Sequence, residues 1–324
     1  MPAERKLPFK YLFPLLLVLL PLVLMVQALD RSPRLDRTIF SRKQDYWRAR
    51  MDRCSLSGHF ATMTDRVLLD DAFRPDFGGK QVYLIGGCVM EEVLNTTTLQ
   101  PAMARLGIFG MPGYNFVDMK KLVDWFIGSL GFGQHFDRRH LVMVGLTIDL
   151  AEPPGTPAPA EYFTSSDLYL YDGAGIRLKP MSPPRRWYLL HRKRFSQVLN
   201  SIWRLHPHVI SRVAPTGLAP EMDTTQVTEQ LAALRGMLKA LKATGATVVG
   251  VVTPNASWLE TPARIRVRSE MEAICREEGI AFQDLSRLLA DQDFLDQDHL
   301  TYEGQQATHQ RLLPVLEPYL AGSI

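Results

Sequence analysis

A cysteine follows a short apolar run about a quarter of the way along the chain. Residues 82 to 90 read VYLIGGCVM, which predicts a buried strand ending at Gly86, with Cys88 just ahead of a helix. Backbone N–H groups at the start of a helix stabilise negative charge, and a thiolate at this point would benefit from them. Cys88 is therefore a candidate nucleophile, and the alternative is a small buried residue without a chemical role.

An aspartate and a histidine lie three residues apart near the carboxyl end of the chain. The stretch FLDQDHLTYEG places Asp296 and His299 in a loop before a helix that we expect Thr301 to cap. At this spacing a carboxylate reaches one imidazole nitrogen, while the other nitrogen faces a nucleophile. The carboxylate also stabilises the imidazolium that forms on proton transfer. Asp298, beside the histidine, is an alternative orienting group.

Strand-like and helix-like segments alternate through most of the chain after residue 80. We expect strands at 81–86, 140–148, 246–253 and about 280–285, and helices at about 89–106, 115–130, 224–243, 262–278 and 303–320. Apolar strands that alternate with amphipathic helices are typical of a parallel sheet covered on both faces, so the pattern predicts an α/β fold. Functional residues in such sheets collect at the carboxyl ends of the strands.

One segment, residues 150–222, interrupts this alternation. It begins and ends with proline-rich stretches and contains no clear strand, so we interpret it as an insertion. Its middle mixes arginines and lysines with aromatic residues, which suits a helix on an anionic membrane surface or against a partner. An ordinary solvated helix that packs its aromatic residues on the domain is an equal alternative.

The amino-terminal segment predicts a membrane anchor. Residues 11–29 are uncharged and apolar over about 20 positions, the length that spans a bilayer. Basic residues in 1–10 predict a cytoplasmic amino terminus, so the rest of the chain would lie on the outer side. Residues 30–79 are charged and predict a juxtamembrane helix and connector. A signal peptide cleaved after Val26-Gln27-Ala28 is the alternative, and both interpretations predict export.

Composition and cysteine spacing narrow the function classes. The net charge of +3 gives no reason to expect nucleic-acid binding. The cysteines at 54, 88 and 275 show no metal-ligand spacing, so we expect neither a metal nor a cofactor. In an oxidising compartment at least one thiol stays unpaired, and we expect this to be Cys88, with Cys54 and Cys275 either paired or buried.

Taken together, these segments resemble the SGNH (GDSL-like) hydrolase superfamily. VYLIGGCVMEEVL is similar to the first block of that family, IFGMPGYNFVDMKKL to the second, HLVMVGLTIDL to the third and FLDQDHLTYEG to the fifth. The resemblance covers about residues 80–149 and 224–322. It implies a flavodoxin-like, three-layer fold with a central parallel sheet, in a domain of residues 80–322 that carries the insertion.

The resemblance also implies a catalytic triad. Cys88 stands at the position of the family's serine nucleophile, His299 at that of the base and Asp296 at that of the orienting carboxylate. Some relatives carry cysteine at the nucleophile position. Gly87 stands where the family has an aspartate.

The oxyanion hole implied by the resemblance departs from the family pattern. Gly113 is the turn glycine whose N–H would serve the hole. The third-block asparagine falls at Ile148 or at Thr147, and neither residue supplies an amide side chain. Thr147 and Asn115 are the candidate substitutes. Loss of one such donor costs on the order of 10²-fold or more in rate.

The predicted anchor narrows the resemblance to exported SGNH-like proteins that work beside membrane-bound O-acyltransferases. This implies acyl transfer or ester hydrolysis on a cell-envelope polysaccharide or glycan, through an acyl-thioester on Cys88. The protein would cross the inner membrane once, with its catalytic domain on the periplasmic side. The alternative is a catalytically inactive SGNH-like subunit that binds or scaffolds, which Ile148 and Gly87 favour because the family has polar residues there.

Overall fold

The chain divides into two compact units, and nearly all of the residues that the structure describes belong to the second. A first unit comprises residues 1–49 and 181–206, and a second comprises 50–180 and 207–324. The computed structural model describes residues 80–87, 89–90, 93–94, 106–110, 115–152, 169–172, 175–185, 188 and 221–321, together with Leu17, Leu20, Pro21 and Leu24. The strands and helices below all lie in the second unit.

Five parallel strands form the central sheet of this unit, in the order β2-β1-β3-β6-β7. Two further strands, β4 and β5, pair as a separate antiparallel hairpin. The strands are β1 (Val82–Gly86), β2 (Leu106–Gly110), β3 (Leu141–Gly145), β4 (Tyr169–Asp172), β5 (Gly175–Leu178), β6 (Thr247–Val252) and β7 (Ala281–Asp284). The strand order is flavodoxin-like, and its switch point lies between β1 and β3.

Within the described residues four long helices accompany the strands, and side chains cap three of them. They are α1 (Phe116–Leu130), α2 (Val227–Ala243), α3 (Pro262–Glu277) and α4 (Tyr302–Leu320). Asn115, Thr261 and Thr301 each accept a hydrogen bond from a backbone N–H in the first turn of α1, α3 and α4. The predicted cap at Thr301 is therefore confirmed. Such caps stabilise a helix by about 1 kcal/mol each.

Helices cover both faces of the sheet, because successive strand residues point to opposite sides. On one face Val82 and Leu84 of β1 share a buried cluster with Leu312 and Leu316 of α4. On the other face Tyr83 packs against the rings of two buried phenylalanines that follow α1, Phe132 and Phe136. The expected α/β fold with a central parallel sheet is confirmed.

The sequence missed three strands. The pattern predicts β1, β3, β6, β7 and the four helices close to their observed bounds, but it gives no strand at β2, which is short and contains two glycines. The expectation that residues 150–222 hold no strand is wrong, because β4 and β5 lie there. The overlooked signal is the run Tyr169–Asp172, rich in β-forming side chains, before an Asp-Gly turn dipeptide.

The predicted membrane anchor falls almost entirely outside the described residues. Of residues 11–29 the structure describes Leu17, Leu20, Pro21 and Leu24, which are helical and exposed. No helix within the described part of the chain is both long and apolar enough to cross a bilayer. The predicted cytoplasmic segment 1–10 and connector 30–79 also lie outside, so these boundaries stay predictions.

Met90 packs closely against the ends of two strands at the carboxyl edge of the sheet. A Cβ added to Gly86 would lie 2.6 Å from Met90 Cβ, and one added to Gly145 would lie 3.1 Å from it. Gly86 ends β1 and Gly145 ends β3, so the two glycines let the helical residues after β1 pack directly on both strands. No side chain larger than hydrogen fits at Gly86 without movement of Met90.

We expect Gly86→Ala to destabilise the protein by roughly 1–3 kcal/mol, as over-packed core substitutions do. Gly128→Ala is the matched control, because Gly128 lies exposed on α1 and an added Cβ meets nothing within 4 Å. This control should stabilise the protein by about 1 kcal/mol through helix propensity. Urea unfolding of the three proteins measures both effects. Equal unfolding free energies for Gly86→Ala and the wild type would contradict the close packing.

His309 is a buried histidine without hydrogen-bond partners. It lies on α4 with 1% of its surface exposed, and neither ring nitrogen has a partner. Burial therefore lowers the pKa of His309 below its ordinary value of 6.5. The folded state keeps this imidazole neutral, whereas the unfolded chain protonates it near pH 6.5.

Because the unfolded state binds the extra proton, His309 should reduce stability as the pH falls below about 6.5. We expect His309→Leu to flatten the decline in unfolding free energy between pH 7 and pH 5, by up to about 1.4 kcal/mol per pH unit. Denaturant unfolding at several pH values measures this slope. His135→Gln, at an exposed histidine, is the control and should keep the wild-type slope. An unchanged slope in His309→Leu would show that His309 does not titrate on unfolding.

Candidate active site

The loop between β7 and α4 closes on itself and presents Asp296 to His299 at its tip. Phe294 and Leu300 pair as an antiparallel bridge, and Leu295 N–H donates to the carbonyl oxygen of His299 at 2.8 Å. Thr301, which caps α4, also donates its N–H to the carbonyl of Asp293 at 2.8 Å. These bonds fix the ends of the loop, so its side chains are held rather than free to rotate with solvent.

Asp296 holds the imidazole of His299 through one ring nitrogen. His299 Nδ1 lies 2.8 Å from Asp296 Oδ2 and 3.1 Å from Oδ1. Oδ1 also accepts the backbone N–H groups of His299, at 2.8 Å, and of Asp298, at 3.1 Å. A carboxylate on Nδ1 places the proton of the neutral ring on that nitrogen, so Nε2 is the basic nitrogen, which is the arrangement of a histidine base.

The hydrogen bonds determine the charge of Asp296. Burial raises the pKa of this carboxyl, but hydrogen bonds from the His299 ring and backbone and from the Asp298 N–H outweigh it and lower the pKa to about 2. Asp296 is therefore ionised throughout the neutral and mildly acidic range. An ionised carboxylate is what stabilises an imidazolium during proton transfer.

A second carboxylate contacts the same ring nitrogen. Asp298 Oδ1 lies 3.2 Å from His299 Nδ1, and the Asp298 side chain is 13% exposed. Burial raises the pKa of Asp298, the contact with His299 opposes this rise, and the negative charges of Asp296 and Asp149 add to it. The two aspartates therefore differ in their tendency to ionise, although both face one imidazole.

A short helical turn after β3 brings Asp149 close to this loop. The turn spans Ile148–Ala151. Arg264, buried at the start of α3, forms ion pairs with Asp149 and, at 3.2 Å, with Glu152. Burial and the charge of Asp149 raise the pKa of Glu152, and Arg264 opposes them. Arg264 thereby fixes the turn against α3.

The same turn reaches the end of β1. A Cβ added to Gly87 would lie 3.7 Å from Leu150 Cδ2, so Leu150 lies near the residue that precedes Cys88. The turn therefore contacts the end of β1 through Leu150 and lies near the histidine loop through Asp149. Cys88 itself lies outside the described residues, and so does Gly113.

Two of the predicted oxyanion residues are described, and both are buried. Asn115 Oδ1 accepts the Asp118 N–H at 2.9 Å as the cap of α1, so its Nδ2 is the atom that remains to donate to a ligand. Thr147 Oγ1 lies 3.0 Å from Thr253 Oγ1. Ile148 is buried in the turn after β3. The structure therefore shows no amide side chain at position 147 or 148.

Contacts from the loop after β6 support the histidine loop from the opposite side. Ala256 N–H donates to the carbonyl of Gln297 at 3.0 Å, and Ser257 Oγ donates to Asp291 Oδ2 at 2.8 Å. A buried pair at the same edge, Arg268 and Glu260, anchors the end of this second loop. The position of Gln297, one residue after Asp296, is therefore determined by β6 as well as by α4.

Asp296, Asp298 and His299 also form the convergent set of possible metal ligands in the described part of the chain, with atoms within 4.8 Å of one another. The hydrogen bond from His299 Nδ1 to Asp296 and the ion pair with Asp298 account for this convergence, and we assign no ion to it. Sequence reasoning missed Thr253, Asp149 and Arg264. The contact of Thr253 with Thr147 depends on the pairing of Gly145 with Val251, which the sequence does not show.

Comparisons with known proteins give fold-level similarity only. No family model matches the chain, and no curated protein sequence does. Among solved structures, a protein assigned as an acylhydrolase from Bacteroides fragilis aligns with a TM-score of 0.41 and 13% identity, over 76% of this chain and 91% of the other. A GDSL-like lipase from Bacteroides thetaiotaomicron aligns with a TM-score of 0.39 and 13% identity, over 78% and 95%. Neither likeness is strong enough to assign an activity.

The Thr147–Thr253 contact gives a testable energy. Thr253→Val should leave the Thr147 hydroxyl buried without its partner, at a cost of about 1–3 kcal/mol. The double variant Thr147→Val/Thr253→Val should cost clearly less than the sum of the two single variants, since no hydroxyl is then stranded. Chemical unfolding of the four proteins measures this coupling. Additive costs would contradict a direct bond between the hydroxyls.

Proposed function

We propose that this chain is a membrane-anchored SGNH-like enzyme that transfers or hydrolyses acyl esters through Cys88, His299 and Asp296. The observation that supports this most directly is the hydrogen bond of 2.8 Å from His299 Nδ1 to Asp296 Oδ2. It prepares His299 to act as a base through Nε2. The resemblance in four sequence blocks suggests Cys88 as the nucleophile and gives the order of the nucleophile, the oxyanion hole and the Asp–His pair along the chain.

The turn after β3 supports the proximity of Cys88 and His299. Leu150 lies near Gly87, directly before Cys88, and Asp149 influences the ionisation of Asp298, directly before His299. A turn of four residues is short, so the two sites that it approaches belong to one edge of the sheet. This edge is also where ligands bind in flavodoxin-like folds.

In the first half of the proposed reaction, the Cys88 thiolate attacks the carbonyl carbon of an acyl ester. An S–C bond forms and the carbonyl oxygen becomes an oxyanion, which Gly113 N–H and the Asn115 amide would stabilise. The C–O bond of the ester then breaks, and the leaving alcohol takes a proton from the His299 imidazolium. The product of this half is an acyl-thioester on Cys88.

In the second half, a hydroxyl group of the acceptor gives its proton to His299 Nε2 and attacks the thioester carbonyl. The C–S bond breaks, the new ester leaves, and Cys88 returns to the thiolate. Water in place of the hydroxyl gives hydrolysis by the same steps. Asp296 keeps Nδ1 paired in both halves and stabilises the imidazolium whenever it forms.

The proposed location follows from the amino-terminal sequence. Residues 11–29 have the length and composition of a membrane span, and the described residues Leu17, Leu20 and Leu24 of that segment are each more than half exposed. We propose a single inner-membrane anchor with residues after about 30 on the periplasmic side. The acceptor would then be an envelope polysaccharide or glycan, and the acyl donor a membrane-bound O-acyltransferase partner.

One observation favours a second function, an inactive binding or scaffold subunit. Where the resemblance expects an asparagine side chain to stabilise the oxyanion, Ile148 is buried and Thr147 pairs with Thr253. Such a loss lowers the rate by on the order of 10²-fold or more. A domain with this deficit could retain a glycan-binding pocket without turnover.

The full-length protein in detergent, incubated with an activated acetyl ester and followed by intact mass, separates the two functions. We expect an acetyl adduct in the wild type that is absent from Cys88→Ala, and we expect His299→Ala to abolish turnover. Cys275→Ala is the matched cysteine control and should keep the adduct, because burial raises the pKa of the Cys275 thiol to about 11.

Absence of an adduct and of turnover in a folded wild type would overturn the enzyme proposal and favour the scaffold. An adduct that persists in Cys88→Ala would also overturn it, because the acyl group would then reside on another residue. Far-UV circular dichroism of each variant confirms that the protein compared is folded.

A further inference from the structure

We infer that Asp298 is a second positioning carboxylate for His299, which contacts Nδ1 beside Asp296. This inference deepens the proposed function and rests on it for its catalytic consequence. The spacing of an aspartate three residues before a histidine describes one orienting carboxylate. The structure places two carboxylates near the same nitrogen.

The distances support a shared contact. His299 Nδ1 is hydrogen-bonded to Asp296 Oδ2 at 2.8 Å, and Asp298 Oδ1 lies 3.2 Å from the same nitrogen, within ion-pair distance. Asp296 Oδ1 is already the acceptor of two backbone N–H groups. Asp296 is therefore fixed by the backbone, whereas Asp298 Oδ1 contacts the imidazole as an ion-pair partner.

The surroundings of Asp298 make this contact significant. Its side chain is 13% exposed, and the charged groups near it on the described elements are Asp296, His299 and, from the turn after β3, Asp149. Arg264 of α3 pairs with Asp149, which moderates that third negative charge. Among these groups, His299 is the one that can become positively charged, by taking up a proton, and so pair with the Asp298 carboxylate.

The two ionisations therefore favour each other. A positive charge on the His299 ring stabilises the Asp298 carboxylate, whose pKa burial otherwise raises. By linkage, ionised Asp298 stabilises the imidazolium that proton transfer creates. Asp298 becomes a stronger acceptor at the moment when His299 takes a proton, whereas Asp296 is ionised throughout.

With two carboxylates near His299, the loss of one should lower kcat less than it does in a triad with a single orienting carboxylate. In a triad with a single orienting carboxylate, the exchange of that Asp for Asn lowers kcat about 10⁴-fold. Here we expect Asp296→Asn and Asp298→Asn each to lower kcat by roughly ten- to a hundredfold, and the double exchange to approach the full loss of about 10⁴. Asn retains the size of Asp, so each exchange removes the charge with little change in packing.

The test combines kinetics with a readout that needs no turnover. The full-length protein is labelled with ¹⁵N-histidine, and the His299 signal, identified by its absence in His299→Ala, is followed against pH in the wild type and in Asp296→Asn, Asp298→Asn and the double variant. The pH profile of acetyl-ester turnover is recorded in parallel. Asp124→Asn, at an exposed ion pair on α1, is the matched control.

We expect the His299 titration midpoint to shift to lower pH in Asp298→Asn and further in the double variant, because each exchange removes a charge that favours the imidazolium. In the wild type, the His299 signal should also report a second step at lower pH, from Asp298 itself, and this step should be absent in Asp298→Asn. The control should match the wild type in both measurements.

An unchanged His299 titration in folded Asp298→Asn would overturn the inference. If Asp298→Asn fails to fold, the second step in the wild type decides, and a single-step titration there would overturn it. If the His299 titration shifts as expected but the protein shows no turnover, the contact of Asp298 with His299 is upheld and the proposed enzyme is rejected. Failure of the inference and failure of the proposed function are therefore distinguishable. Loss of about 10⁴-fold in Asp296→Asn alone would restore Asp296 as the sole orienting carboxylate.

Discussion

The close packing of Met90 on Gly86 and Gly145 is the constraint on which the carboxyl edge of the sheet depends. Because neither glycine has a side chain, the chain leaves β1 and is helical by Val89, after only two intervening residues. The N–H of Met90 donates to the Gly87 carbonyl at 3.1 Å, which secures this turn. A bulkier residue at either glycine would displace the helical start from the sheet, and with it the position that the nucleophile would occupy.

The loops at the carboxyl edge of the sheet lie close together because the ends of neighbouring parallel strands are close. In the described part of the chain, ion pairs and backbone hydrogen bonds, rather than continuous secondary structure, hold the loops after β3 and β7. Arg264 holds the turn after β3 through Asp149, and Ala256 holds the loop after β7 through Gln297. The imidazole of His299 is thus positioned by contacts that originate on β3, β6 and α4.

The sheet and the four long helices were predictable because their signals are local. Apolar runs such as Val82–Gly86 and Thr247–Val252, and caps such as Thr301, depend only on neighbouring residues. The strand at Leu106–Gly110 was not, because two glycines in five residues remove the β signal and its stability comes from pairing with β1. Propensity is a weak guide where tertiary pairing decides.

In the candidate site, too, the contacts between residues close in sequence were predictable and those between distant residues were not. Asp296 and His299 are three residues apart, so their contact needs only one turn of loop. The pairing of Thr147 with Thr253 joins residues 106 positions apart and needs the register of β3 against β6. The ion pair of Arg264 with Asp149 likewise needs the crossover through α2 and β6. No periodicity in the sequence encodes either contact.

The proposed enzyme lacks the asparagine side chain that the resemblance expects in the oxyanion hole. The arrangement around His299 bears on how the enzyme would compensate for this loss. An oxyanion donor acts on the developing oxygen charge, whereas a positioned histidine acts on the proton, so one cannot replace the other directly. A thiolate nucleophile changes the balance, because it needs less help from a base and its thioester is a reactive intermediate. Two carboxylates on His299 Nδ1 would then serve mainly the second half of the reaction, in which a hydroxyl or water must lose a proton. Both carboxylates contact Nδ1, so they stabilise the positive charge of the ring after Nε2 has received that proton.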